Sequence, residues 1–454
     1  MTETLPGAAD LPGLLIHNAT QVATLAGGVR RGSSQADVAA ITIGADASDG
    51  RFQPAVAAYE GRIVAVGRLG EVEAQLEEMG IALSSLRRLD AQRGTVTPGL
   101  IDPHTHLLFA GTRHAEVEMR HRGHSYLDIL AAGGGILQTV RATRAASDEQ
   151  LLDHGRRWLR DMLSHGVTTV EAKSGYGLDV DTELRLLRLA AALGAEGPVE
   201  VVPTFLGAHA VAPEFRDRPD ATEAYIESVI SDQLPRVAEQ GIATSCDVFC
   251  ERGVFEVSAA RRLLSAAREF GLAPRLHADQ IADSGAAHLA AEVGAISADH
   301  LGGVSDAGID ALAAAADGGK PTVATLLPIA DFYLGHDMGS GPSPGRRLID
   351  AGVPVAIGTD FNPGTSPAPN AQLCLAFAVH RLKLSAAEAL AGMTINAAAA
   401  LGMADSHGSL EVGKHADISI WSVDSHELLP YWVGANLVHT VVKSGHVVFS
   451  QRVA

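Results

Sequence analysis

Residues 98–106 read PGLIDPHTH, and the fold turns on this stretch. Its Pro–Gly pair punctuates the chain, and the apolar Leu100 and Ile101 begin a strand. His104 and His106 lie two apart at the strand's end, so both imidazoles project from one face. Upstream of it the rhythm is one of short strands and turns: LLIHNAT (14–20), VAAITIGAD (38–46), PAVAAYEGRIVAVG (54–67) and RLDAQRGTVTPG (88–99). Downstream, apolar strand-like runs alternate with helical patterns. Seven further candidate strand ends follow: TTVEAKSGY (168–176), EVVPTFLGAH (200–209), TSCDVFCE (244–251), APRLHADQ (273–280), AISADHL (295–301), KPTVATLLP (320–328) and VPVAIGTD (353–360).

Amphipathic segments lie between these runs. SDEQLLDHGRRWLRDMLSHG (147–166) opens with Ser147 and Gln150 at capping-box spacing and stops at Gly166. SAARRLLSAAREFG is read in the same way, as a helix from Ser258 to Gly271. Eight strands, each continuing into a helix or loop, predict parallel pairing and an α/β fold, a (β/α)8 TIM-like barrel. Two helices follow the loop after Asp360, and the tail from GSLEVGKHADISIW (408–421) returns to strand alternation. The expected organisation is a catalytic barrel over 96–403, flanked by residues 1–95 and 404–454 as two parts of one smaller β-sandwich domain. The Gly/Ser/Asp-rich residues 27–51 are read as an exposed hairpin or mobile loop.

Composition bounds the rest. At 454 residues the chain suits a large barrel plus an accessory unit, and 46% apolar residues supply the core. Aromatics are only 4%, so packing rests on Ala, Val, Leu and Ile. A net charge of −18 disfavours nucleic acid and anionic membranes as partners but permits a small anionic substrate at a local Arg. The three cysteines, Cys246, Cys250 and Cys374, give no disulfide framework and read as buried thiols. The N-terminal MTETLPGAADLPG has neither the basic nor the apolar region of a signal peptide, and no apolar run is long enough to span a bilayer. A cytoplasmic protein is expected.

Barrel enzymes carry their functional groups at the C-terminal ends of strands. A lone H-x-H pair is weak evidence. His277 in RLHADQ, His300 in ADHL and Asp360 in IGTD change the odds, because they close three further strands. A third imidazole and one carboxylate would complete a 3-His/1-Asp site for one divalent metal, Zn or Fe. Asp360 is then placed to accept a proton, and His300 to orient the nucleophile or stabilise an oxyanion. Lys173 falls on the second strand rather than the fourth, where two-metal barrels of this kind carry a carboxylated Lys, so it reads as structural or as support for the site. Arg113 suits a carboxylate clamp, although a surface ion pair is equally compatible with its sequence context. Tyr176, His209 and Gln280 follow strands at the same mouth. The Gly133–Gly135 run lacks both G-x-G-x-x-G and a P-loop Lys, and reads as a barrel loop with a possible lid role.

These residues resemble the amidohydrolase superfamily, and within it the imidazolonepropionase family. The resemblance rests on IDPHTHLLFAGTRHAE, AGGGI, TTVEAKSGYGL, PTFLGAHA, DVFCERGVF, LHADQ, ADHL and GTDFNPGT, and covers nearly the whole chain. It implies opening of the 4-imidazolone-5-propanoate ring to N-formimidoyl-L-glutamate, in histidine degradation, with a metal-activated water as nucleophile. It also implies metal ligands at His104, His106, His277 and Asp360, and a non-ligand catalytic role for His300. Substrate contacts are implied at Arg113, Tyr176, His209, Gln280, Asn362, Gly364 and Thr365, with Tyr126 also lining the pocket. Gln280 falls among the catalytic positions too, but stands where some members carry Glu; an amide cannot shuttle a proton, which leaves that role to His300 and Asp360. The resemblance further implies a homodimer. The competing expectations are a heterocycle deaminase of the same superfamily and a catalytically inactive barrel scaffold.

Overall fold

The computed structural model describes residues 11–43, 50–124, 134–319, 321–335 and 343–451. Seven strands precede the barrel: β1 (Gly13–His17), β2 (Gln21–Ala23), β3 (Ala40–Thr42), β4 (Pro54–Tyr59), β5 (Arg62–Arg68), β6 (Leu86–Asp90) and β7 (Thr95–Pro98). The barrel strands are β8 (Leu100–Asp102), β9 (Val167–Lys173), β10 (Glu200–Ala208), β11 (Ser245–Cys250), β12 (Ala273–Ala278), β13 (Ser297–His300), β14 (Val323–Leu326) and β15 (Val355–Ile357). Three more, β16 (Ile418–Trp421), β17 (Val438–Lys443) and β18 (His446–Ser450), end the chain.

The strands β8 to β15 pair in sequence order, all parallel. The seam between first and last is closed by main-chain bonds at the residues of interest: Asp360 N donates to His104 O at 3.0 Å, and His106 N to Phe361 O at 2.9 Å. A parallel bridge between Thr105 and Phe361 lies between them. The eight-stranded α/β barrel expected from the sequence is thus present, and its closure fixes the first and eighth strand ends against each other.

Its helices form the outer layer. Ser147 and Gln150 make the expected capping box for the helix Asp148–Ser164. This helix packs so closely on Val180–Glu196 that a Cβ on Gly155 would collide with Leu193. The second helix departs from its reading. It spans Val257–Glu269, and its N-cap is Glu256, without a side-chain cap, rather than a serine.

The terminal strands build two further sheets. One has the order β5-β4-β1-β6; the other, β18-β17-β16-β7-β2-β3, takes three strands from each end of the chain. Leu14, Ile16, Val56, Val96, Ile418 and Val442 pack between the two as one apolar cluster. The helix Leu69–Glu78, unread in the sequence, covers the other face of the first sheet through Leu69, Val72 and Leu76. Most of segment 27–51 is also described: as expected it is largely exposed and returns the chain antiparallel from β2 to β3, but it is anchored through a few buried side chains. Between the paired β2 and β3, a 3-10 turn (Gly32–Ala36) buries Gln35, whose amide donates to Val355 O and accepts from Val355 N. Residues 44–49 of that segment lie outside the described residues. All three cysteines are buried and free, as expected. Among the described residues, no helix is long and apolar enough to cross a membrane.

Candidate active site

Five histidines and one aspartate meet at the C-terminal mouth of the barrel. His104 and His106 follow β8, His277 lies on β12 and His300 ends β13; Asp360 follows β15 and His209 follows β10. The Nε2 atoms of His104 and His106 each lie 3.5 Å from Asp360 Oδ1, and His106 Nε2 lies 3.4 Å from His277 Nε2. His104 and His277 also group with His300, and His106 and His277 with His209. His300 and Asp360 both adopt left-handed backbone, with φ of +78° and +53°. Such conformations are costly for residues with a Cβ and persist where the surroundings enforce them.

The tautomers follow from what holds the far side of each ring. His104 Nδ1 donates to Asp299 Oδ2 at 2.7 Å, and His277 Nδ1 donates to Asp247 at 3.1–3.2 Å. His209 Nδ1 donates to Gly175 O at 3.0 Å. A carboxylate or carbonyl can only accept, so each of these three rings carries a proton on Nδ1, and its neutral form presents the Nε2 lone pair to the mouth. Burial holds His104, His106 and His300 well below the ordinary imidazole range, helped by neighbouring Lys173 and the other histidines, and His209 comes down to about 3. Neutral rings with outward lone pairs are metal ligands or hydrogen-bond acceptors.

Below them, inside the barrel, lies a layer of five fully buried charged side chains: Glu171, Lys173, Asp247, Arg275 and Asp299. Lys173 Nζ lies 2.7 Å from Glu171, 2.7 Å from Asp247 and 3.5 Å from Asp299. Burial alone would raise Asp247, but Lys173 and His277 beside it hold it well below the usual carboxylate range.

Around the rim, His106 and His209 stack at 4.8 Å, and Tyr176 lies 5.4–5.5 Å from both. Arg113 grips Glu116 through Nε and Nη2, each at 2.9 Å, and Glu116 accepts from Gly135 N. The face of the guanidinium carrying Nη1 rests on Gly364, where a Cβ would collide with it. Asn362 commits its amide to its own loop: Oδ1 accepts from Gly364 N and Thr365 N, and Nδ2 donates to Asp360 O and Thr365 Oγ1. Thr365 Oγ1 in turn donates to Asp360 Oδ2 at 3.3 Å.

The sequence profile of the amidohydrolase family matches residues 95–448. An imidazolonepropionase of Geobacillus kaustophilus is 48% identical over 388 residues, 86% of this chain and 88% of its own. One from Bacillus velezensis is 44% identical over 439 residues, 96% and 97%. The chain belongs to the imidazolonepropionase family of amidohydrolases. Among solved structures, a zinc-bound adenosine deaminase from Xanthomonas campestris superposes with a TM-score of 0.67 at 19% identity, over 97% of this chain and 93% of that one; the likeness is one of fold.

An amidohydrolase carries a divalent metal, and the donors here fit one. Four ligands about 2.1 Å from a tetrahedral ion stand about 3.4 Å apart, and the pairs His104–Asp360, His106–Asp360 and His106–His277 stand 3.5, 3.5 and 3.4 Å apart. His104 Nε2 is buried with no hydrogen-bond partner among the described residues. Burial pushes the Asp360 carboxyl well above its usual range, and among the described residues no Lys or Arg ion-pairs with it. A cation at this point satisfies both atoms.

Tyr176, His209, Arg113, Gly364 and Thr365 share the mouth. Gln280 is half-buried in the loop after β12, and among the described residues no hydrogen bond or ring contact joins it to the histidines. Tyr126 and Gly133 lie outside the described residues. Sequence reading missed Glu116, Glu171, Asp247, Arg275, Asp299 and Glu183. For Glu116 a signal existed, since it stands three past Arg113 at the start of the helix His114–His121.

Proposed function

We propose that this chain is an imidazolonepropionase that hydrolyses the ring of 4-imidazolone-5-propanoate to N-formimidoyl-L-glutamate, in histidine degradation. The observation that carries the reading is the convergence at the barrel mouth of His104 and His106, each with Nε2 3.5 Å from Asp360 Oδ1, and of His277, whose Nε2 lies 3.4 Å from His106 Nε2, beside Arg113. These four residues hold one divalent ion, zinc or iron(II), since both accept this nitrogen and oxygen set. When bound, the ion acidifies a water and polarises the ring carbonyl.

The chain's own groups do the rest. Arg113, braced by Glu116, offers Nη1 to the propionate of a small anionic substrate. Tyr176 and His209 flank the planar ring. Asp360 takes the proton from water as its oxygen adds to the carbonyl carbon. The ring C–N bond then breaks, the nitrogen receives the proton that Asp360 took from water, and the former carbonyl becomes the new carboxylate. His300, 5.2 Å ring to ring from His277, faces the same space and steadies the oxyanion. Asn362 shapes the loop that sets Thr365 against Asp360.

The test is a direct assay of imidazolone ring opening by the purified chain, with and without chelator. Ring opening without ammonia release, lost on chelation and restored by zinc or iron(II), is the expected result. Ammonia release instead would identify a deaminase, and a chain that retains no metal under chelator-free purification would be a scaffold.

A further inference from the structure

We propose that Lys173 is a positioning residue for metal retention: its ammonium ties Asp247 and Asp299 together, and through them fixes His277 and His104. This rests on the reading above that those two histidines hold the ion. The geometry is that of a hub. Lys173 has three N–H donors and three carboxylates around it, Glu171 and Asp247 at 2.7 Å and Asp299 at 3.5 Å. Two of the three carboxylates each take the Nδ1–H of a different ring, Asp299 from His104 and Asp247 from His277. Asp247 also accepts from the main-chain N–H of His277 at 3.1 Å, so it fixes backbone and ring together. Arg275, the second cation of this layer, shares Asp299: Nη2 donates to Asp299 Oδ2 at 3.3 Å and to Pro103 O at 2.9 Å, Nη1 to Ala400 O at 2.6 Å, and Nε lies 3.4 Å from Glu171. Among the described residues, Lys173 is the cation that ion-pairs with both Asp247 and Asp299.

Energetics favour a functional reason for this layer. Buried ion pairs give little net stability over well-packed apolar side chains, because desolvation offsets the attraction. Five buried charges beneath the mouth are poorly explained by folding alone. Their sum is −1, which complements a divalent cation above. Partners of ligating side chains also set metal affinity, and their loss typically weakens binding 10- to 100-fold.

The experiment compares the full-length chain with Lys173→Met and Asp299→Asn. Each is stripped of metal and titrated with Co²⁺ against a chromophoric chelator, with the visible Co²⁺ spectrum recorded. Lys173→Met is expected to bind Co²⁺ about 10- to 100-fold more weakly and to show a shifted spectrum. Asp299→Asn, nearly isosteric, is expected to shift the spectrum in the same sense. Lys173→Met with wild-type affinity and spectrum overturns the proposal, even if its apo form melts at lower temperature, since that is what a purely structural role would give. Should Lys173→Met fail to fold, Asp299→Asn decides by the same two readouts. No substrate enters the measurement, so a wild-type chain that binds Co²⁺ yet leaves the imidazolone ring closed would sink the functional reading and leave this inference intact.

Discussion

At the scale of single residues, the sharpest constraint is the contact between Arg113 and Gly364. The guanidinium lies where a Cβ on Gly364 would stand, while Glu116 occupies its other edge. Gly364→Ala therefore displaces Arg113 without touching any metal-holding residue. A charge-assisted hydrogen bond to a carboxylate is worth about 1.5–3 kcal/mol. The expected effect is a KM for the imidazolone substrate raised about tenfold or more, with metal content unchanged and kcat altered far less. Steady-state kinetics on the metal-loaded variant check this; an unchanged KM removes Arg113 from the carboxylate role. The sequence exposed both partners, Arg113 in GTRHAE and Gly364 in FNPGT, but not their contact. Some 250 residues separate them, and only closure of β15 onto β8 brings them together.

At the scale of elements, the loop after β9 shows how one side chain can shape a wall of the site. Glu183, fully buried in the first turn of the helix Val180–Glu196, accepts from Gly175 N at 2.9 Å through one oxygen, and from Gly177 N and Leu178 N at 2.8 and 2.7 Å through the other. Gly175 (φ +82°) in turn offers its carbonyl to His209 and has no room for a Cβ beside that ring. Glu183→Gln keeps one acceptor oxygen but turns an N–H₂ toward Gly175 N, donor against donor. Gly175 should move, and Tyr176 and His209 with it. The expected outcome is a KM raised several-fold with Co²⁺ affinity unchanged, read by kinetics and metal titration; wild-type KM would make Glu183 a fold residue alone. Strand ends were legible in the sequence because short apolar runs and, at several of them, a terminal His or Asp mark them locally. Asp247 and Asp299 were not. Each is a polar residue in an apolar strand whose partner is set by register between strands, Asp247 opposite Arg275 and two residues from Phe249, which stands opposite His277. Nothing local in SCDVFC announces that pairing.

At the scale of the whole molecule, chemistry and stability sit at opposite ends of the barrel. The strands' C-terminal ends carry the histidines, while their N-terminal ends meet the terminal sheets: Gly99 N donates to Asp417 O, and Ser419 Oγ to Gly166 O. The most charged link there is Glu200, at the start of β10. Its Oε2 accepts from His407 Nε2 and Lys443 Nζ, both at 3.0 Å, and Lys443 also reaches Asp417 at 2.7 Å. Glu200, His407 and Asp417 approach metal-site spacing, but Lys443 already supplies a cation among them. The cluster therefore reads as a clasp between the barrel and the chain's C-terminal strands. The bond from His407, with Lys443 close by, draws the Glu200 carboxyl down from 4.5 to about 2 against the opposing effect of burial. An acid whose folded value is depressed stabilises the fold fully above its unfolded value and loses that contribution as pH falls through the folded one. Glu200 is about one-third exposed, so screening reduces its contribution to about 1 kcal/mol. Glu200→Gln should accordingly lower the melting temperature measurably at pH 7, by the same amount down to about pH 4.5, and then converge on wild type as the pH falls toward 2. Ring opening should proceed at the wild-type kcat/KM, since the clasp lies at the far end from the histidines. Thermal melts across that pH series, paired with one activity measurement at neutral pH, check both halves. A stability gap that widens on acidification would refute the clasp, and a loss of activity without a change in melting would refute the division of the barrel into a stabilising and a catalytic end.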